Sequence, residues 1–203
     1  MAYEKLRDKK KQLIRETIFT TAQRLFVEQG FEETTIQQIA DDAGISRASF
    51  FNYFSGKPGL LTAMIEDMQK RFVSLIEEQR LRPASTQERL VTFFCYSAAV
   101  INKTESFSRI LFSAFDNAYT EASDKYAVNL QIHNAYKELL TIGIEQNDVR
   151  IDYSLNVLVE LVTAAFTQVI NNWVNDTAYP LEQRFEEMAK LIGESIAPKK
   201  TCR

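Results

Sequence analysis

The stretch Gly44-Ile45-Ser46 constrains this fold more than any other feature, because it separates two segments each only a turn or two long. Before it, Ile36, Ile39, Ala40 and Ala43 recur at helical spacing and make one face apolar. Gly44 then stands where a helix ends in the left-handed conformation that glycine tolerates best. Ile45 is apolar inside the turn and suits the gap between two crossing helices. Ser46 occupies an N-cap position, with a hydroxyl able to accept from the amides of the next turn. After it, Phe50, Phe51 and Phe54 are expected to supply the buried side, leaving Arg47, Ser49, Asn52 and Tyr53 as polar tips. Two short helices around a glycine turn form the helix-turn-helix pattern, whose second helix is shaped to enter a major groove.

The rest of the chain reads as helix. Its 203 residues hold only 6 Gly and 4 Pro, and no alternating strand pattern appears. Leu13, Ile14, Ile18, Ala22, Leu25 and Phe26 define a first amphipathic helix ending at Gly30. Pro58 opens a longer one bearing Leu60, Leu61, Met64, Ile65, Met68, Phe72, Leu75 and Ile76, which Pro83 terminates. Ser85-Thr86-Gln87-Glu88 has capping-box spacing. Helices are expected around Phe107 to Phe115, over 121–146, from Asp152 as a cap through Trp173, and from Pro180 to Ile196. The expected architecture is all-α with about nine helices: a three-helix bundle over 1–57, a helical bundle for effector binding and dimerisation over 58–197, and a disordered tail over 198–203. The helix after Pro58 is shared between the two parts.

Composition excludes several classes. Hydrophobic residues make up 45% of the chain, enough for a real core. There is no uninterrupted apolar run of membrane-spanning length, and residues 1–11 are polar and basic rather than signal-like, so a cytoplasmic protein without a membrane partner is expected. Cys95 and Cys202 are isolated, which disfavours a disulfide framework or zinc site and leaves a redox-sensing thiol as the alternative. No cofactor or metal is expected. Near the N-terminus Lys5, Arg7, Lys9, Lys10, Lys11 and Arg15 face only Glu4 and Asp8, although the net charge is -3. This arm suits phosphates or a minor groove, or equally a solvated helix start.

The segment from Gly30 to Leu61 resembles the TetR family of transcriptional regulators. The resemblance rests on Gly30-Phe31, Thr34-Thr35, Ile39-Ala40, Ala43-Gly44-Ile45-Ser46, Phe50-Phe51-Asn52-Tyr53-Phe54, Lys57 and Leu60-Leu61. It implies that Thr35 caps the first short helix and touches a phosphate. Arg47, Ala48 and Ser49 would open the recognition helix, with Arg47 the candidate for guanine. Asn52 would reach adenine or backbone, Tyr53 and Lys57 would clamp phosphates, and Gln37 and Gln38 would add contacts. Two positions depart from the pattern. Phe51 stands where the family commonly has Tyr, which removes or replaces a phosphate contact. Pro58-Gly59 follows Lys57 where an acidic residue is usual. With Asp41 and Asp42 balancing Arg47 and Lys57, the motif is locally neutral, so affinity must draw on helix termini, the arm and dimerisation.

Downstream, Phe93, Tyr96, Phe112, Phe115, Tyr126, His133, Phe166 and Trp173 are candidates for an apolar ligand pocket, or for ordinary helical core. Val157, Leu161, Ala164, Ala165 and Gln168 form a second face on their helix. With Phe185, Met188 and Ile192 of the last helix they are the candidate homodimer interface, a four-helix arrangement across a two-fold. The expected function is a repressor on a palindromic operator in double-stranded DNA, released by a largely apolar small molecule. An activator, a ligand-free helix-turn-helix adaptor and an enzyme with a helical DNA-binding module are the alternatives. The last finds no Cys/His pair, HExxH or glycine-rich phosphate loop in the sequence.

Overall fold

The computed structural model describes residues 2–118 and 122–199, and within them the side chains of 6–115 and 130–199. Among the described residues there are nine helices and no strand: α1 Ala2–Gln29, α2 Ile36–Asp42, α3 Arg47–Phe51, α4 Lys57–Arg80, α5 Thr86–Lys103, α6 Glu105–Ala118, α7 Ala122–Glu145, α8 Leu155–Asn175 and α9 Leu181–Ile196. They divide into two compact units, Met1–Ile65 with Ser106–Ala118, and Glu66–Glu105 with Tyr119–Arg203. The division falls inside α4, at Ile65, whereas the sequence placed it at Pro58. The part of the tail over 200–203, with Cys202, lies outside the described residues.

In the first unit, α1 packs on α2 and α2 on α3. Ile18, Ala22, Leu25 and Phe26 of α1 are buried with Ile39, Ala40, Phe50 and Phe54. Leu13, expected in the same stripe, is 63% exposed. It lies about 140° around the helix from Ile18, off the line that faces the bundle.

In the second unit, α5 packs against α7 and α9, and α8 against α7 and α9. The capping box at the start of α5 is present: Ser85 Oγ accepts from Glu88 N at 3.3 Å, and Ser85 N donates to Glu88 Oε2 at 2.8 Å. Asp148, just past α7, accepts from both Thr86 N and Thr86 Oγ1 at 2.7 Å. Gly143 allows this closeness, since a Cβ there would collide with Thr86 Oγ1 and Val149 Cγ2. Beside it Arg89 is 2% exposed. Its Nε and Nη2 donate to Arg82 O at 3.3 and 2.9 Å, and its Nη1 to Gln146 Oε1 at 3.0 Å.

Aromatic rings fill the interior of this unit. Phe166 lies 5.6 Å from Phe93, 5.3 Å from Phe94 and 5.7 Å from Phe72, and stacks on Phe185 at 4.8 Å. Tyr136 meets Phe93 edge-on at 5.7 Å. By length and composition alone α8 could cross a membrane; here Leu158, Val159, Val162, Val169, Ile170 and Trp173 are buried in the unit. Its N-cap is Ser154, whose side chain accepts from Val157 N, and not Asp152. Asp152 is instead held by Arg150 in a two-bond fork at 2.6 and 2.7 Å, with Lys199 at 3.2 Å.

Candidate nucleic-acid interface

The reader is assembled from caps and one turn. Thr35 opens α2 with a capping box: its Oγ1 accepts from Gln38 N at 3.2 Å, and its own N donates to Gln38 Oε1 at 2.8 Å. At the other end Gly44 adopts φ +66°. Gly44 N then donates to Asp41 O at 3.1 Å and Ile45 N to Ala40 O at 2.9 Å, which satisfies carbonyls the helix leaves open. Ser46 Oγ accepts from Ser49 N at 3.0 Å and starts α3. So short a helix is not stable by itself; the cap and the burial of Phe50 hold it in place.

That arrangement sets which side chains remain available. Arg47, Ala48 and Asn52 are exposed, and Ser49 and Tyr53 are half-buried. Gln37 is exposed with its amide donating to Asp41 Oδ1 at 2.8 Å, while Gln38 is engaged in the capping box. Phe51, expected on the buried side with Phe50 and Phe54, is 47% exposed, because a helix of five residues presents only one edge to its neighbours. Its ring lies 5.9 Å from the Arg47 guanidinium. An apolar, cation-facing ring thus stands where the resemblance leads one to expect a phenol.

Lys57 departs from the phosphate-clamp expectation. Its Nζ donates to Phe31 O at 2.5 Å and Glu32 O at 2.9 Å, and sits 4.5 Å from the centre of the Phe31 ring. Two of its three N–H donors therefore tether the first turn of α4 to the loop between α1 and α2. Arg15 was not singled out by the sequence as part of the motif. Its guanidinium lies 4.3 Å over the Phe19 ring and 5.9 Å from that of Phe54, and the Arg15–Phe19 spacing of four was the signal for it.

The eight expected pocket residues are divided between the two units. Phe93 and Trp173 are buried in the core of the second unit, and Phe166 is half-buried within its aromatic cluster. Phe112 and Phe115 lie on α6 in the first unit, and Tyr126 lies outside the described side chains. His133 is half-buried on α7. Tyr96 is 55% exposed and borders an open groove of about 340 Å³ between α4 and α5, lined also by Leu75 and Val100. Of the expected interface, Val157, Leu161, Ala164 and Gln168 are exposed on α8 and Ala165 is half-buried. On α9, Phe185 and Ile192 are buried, because that face packs on α5 and α8, and Met188 is half-buried; Leu191 is the exposed apolar residue. Burial, reinforced by Glu186, pushes the Cys95 thiol up and away from the reactive thiolate.

A capped pair of short helices with an exposed arginine at the head of the second defines a helix-turn-helix DNA-binding protein. Residues 18–64 match the model of the bacterial regulatory proteins, tetR family. Similarity extends along the chain to the fatty acid metabolism regulator protein of Bacillus subtilis, 19% identical over 88% of this chain and 93% of that one. The crystal structure of FadR from Bacillus subtilis in complex with stearoyl-CoA superposes with a TM-score of 0.74 at 17% identity, covering 89% of this chain and 98% of that one. SmeT, the repressor of the Stenotrophomonas maltophilia multidrug efflux pump SmeDEF, gives 0.74 at 17% identity over 90% of each chain. Residues 18–64 therefore form a tetR-family DNA-binding region, and the chain is a transcriptional regulator and not an enzyme.

Proposed function

We propose that this regulator is a cytoplasmic repressor that binds a palindromic operator as a homodimer and leaves it when a largely apolar small molecule binds. The observation that carries this reading is the capped α3 with Arg47 and Ala48 exposed at its head. Arg47 would read guanine, Ser49 and Asn52 a base edge or backbone, and Thr35, Gln37 and Tyr53 the flanking phosphates. One such helix touches few bases, so two copies on half-sites one helical turn apart are needed for specificity. The exposed α8 face of Val157, Leu161 and Ala164 supports pairing, since small and apolar side chains let helices approach closely. The phenylalanine-rich interior of the second unit supports an apolar effector that selects one of two packings. Among relatives, SmeT has been solved with triclosan and FadR with stearoyl-CoA.

Selection of bound genomic fragments, followed by Arg47→Ala, tests the reading. The variant is expected to lose about 1–3 kcal/mol of operator preference while keeping non-specific binding. Equal loss on both DNAs would make Arg47 a phosphate contact. Sedimentation should show twice 23.4 kDa, and a monomer at micromolar concentration would remove the palindrome. Compounds that release the fragment identify the effector class; release by none would favour the ligand-free adaptor.

A further inference from the structure

Most cations of the reader are already committed. Lys57 is tethered to two carbonyls, Arg24 is paired with Glu28 and Asp42, and Arg15 is stacked on Phe19. Arg7, Lys9, Lys10 and Lys11 make no ion pair among the described residues and are all exposed. They do not form a loose arm, because α1 is continuous from Ala2 to Gln29. Their directions are therefore fixed by the helical repeat. Lys11, Ile18 and Leu25 are seven apart, and Arg15 and Ala22 likewise; Arg7 is eighteen residues, or about five turns, before Leu25. Arg7 and Lys11 thus continue the line of the face that packs on the reader, past the last buried residue. Lys9 points about 180° from Ile18 and Lys10 about 80°. Arg15, one turn further along, shows what that face overlooks: Phe54, just after the recognition helix.

We propose that Arg7 and Lys11 form a phosphate ledge on the first turns of α1, gripping the DNA backbone beside the recognition helix without reading sequence. The two cations are about 6 Å apart along the axis, so each can meet its own phosphate on a duplex carrying one charge per about 1.7 Å. This deepens the DNA-binding reading above and rests on it. It also supplies charge that the motif itself lacks.

The test compares two double variants with the same loss of charge, R7Q/K11Q and K9Q/K10Q, in the full chain. Dissociation constants are measured against sodium chloride on the selected fragment and on unrelated DNA. R7Q/K11Q is expected to reduce the slope of log affinity against log salt by about 1.8 per bound protomer, on both DNAs, with operator preference unchanged. K9Q/K10Q is expected to change the slope by less than a third of that. Equal shifts in the two doubles would show a diffuse charge effect and overturn the ledge, as would an unchanged slope in R7Q/K11Q. Circular dichroism confirms that α1 persists in both. If the wild-type protein showed no preference for any fragment, the DNA-recognition reading would fall together with the ledge.

Discussion

Helices α3 and α5 are held in opposite ways. Recognition helix α3 has five residues, one buried phenylalanine and a serine cap, with Gly44 turning the chain into it. Helix α5 has 18 residues and buries Leu90, Phe93, Phe94, Ser97, Ala98 and Ile101, with Arg89 sealed at its start. The first is shaped by groups within a few residues of it and keeps most of its surface for a ligand. The second is shaped by α7 and α9, distant in sequence, and keeps little surface free. Damage to α5 should therefore register as lost stability, and damage to α3 as lost binding.

The sharpest way to break this contrast is to truncate one phenylalanine in each region. Phe94→Ala should cost about 3–5 kcal/mol in chemical denaturation, because a fully buried ring is removed from among Phe93, Phe166 and Phe185. Phe51→Ala should cost about 0.5 kcal/mol or less. Similar costs would dissolve the distinction. Next, Gly143→Ala should destabilise by about 1–3 kcal/mol, since its methyl collides with Thr86 and Val149. A neutral result would mean that α5 and α7 can separate freely at that point. Ser46→Ala should cost about 1 kcal/mol, and DNA affinity should fall with it, because the cap helps the buried Phe50 hold α3 in place. Unchanged affinity would show that α3 stands without it.

The smallest effect concerns Asp152, whose carboxyl is held well below the usual carboxylate range chiefly by the Arg150 guanidinium. A depressed folded-state value stabilises the protein above the ordinary carboxylate pKa of about 4 and is lost as the pH falls below it. Asp152→Asn should therefore lower the melting temperature slightly at neutral pH and lose that deficit in acid. A deficit that persists unchanged at pH 2 would assign the effect to packing.

What the sequence disclosed follows the same divide. Gly44, Ser46, Thr35 and the Ser85–Glu88 box were legible because their partners lie within four residues, so spacing alone fixes the geometry. Leu13, Phe51 and Leu191 are apolar yet exposed, because hydrophobicity does not say where a neighbouring helix stops. Phe185 and Ile192 were placed outward and lie inward: α9 is apolar over a broad arc, and only its packing on α5 decides which side is covered. Lys57 had the right charge for a phosphate, but the carbonyls of Phe31 and Glu32 lie nearer, and that proximity comes from a loop 25 residues upstream. The cap of α8 was missed by two residues because Asp152 and Ser154 are both competent caps, and Arg150 claimed the first.

The sealed Arg89 has a consequence for how the second unit answers its surroundings. A guanidinium keeps its proton across the whole range in which proteins survive. Its acceptors, the Arg82 carbonyl and the Gln146 amide, have no proton to gain. The joint that Arg89 itself makes is therefore chemically deaf to acidity. A carboxylate in place of Gln146 would give it an ear, and a metabolically acidified cell would then loosen the same joint.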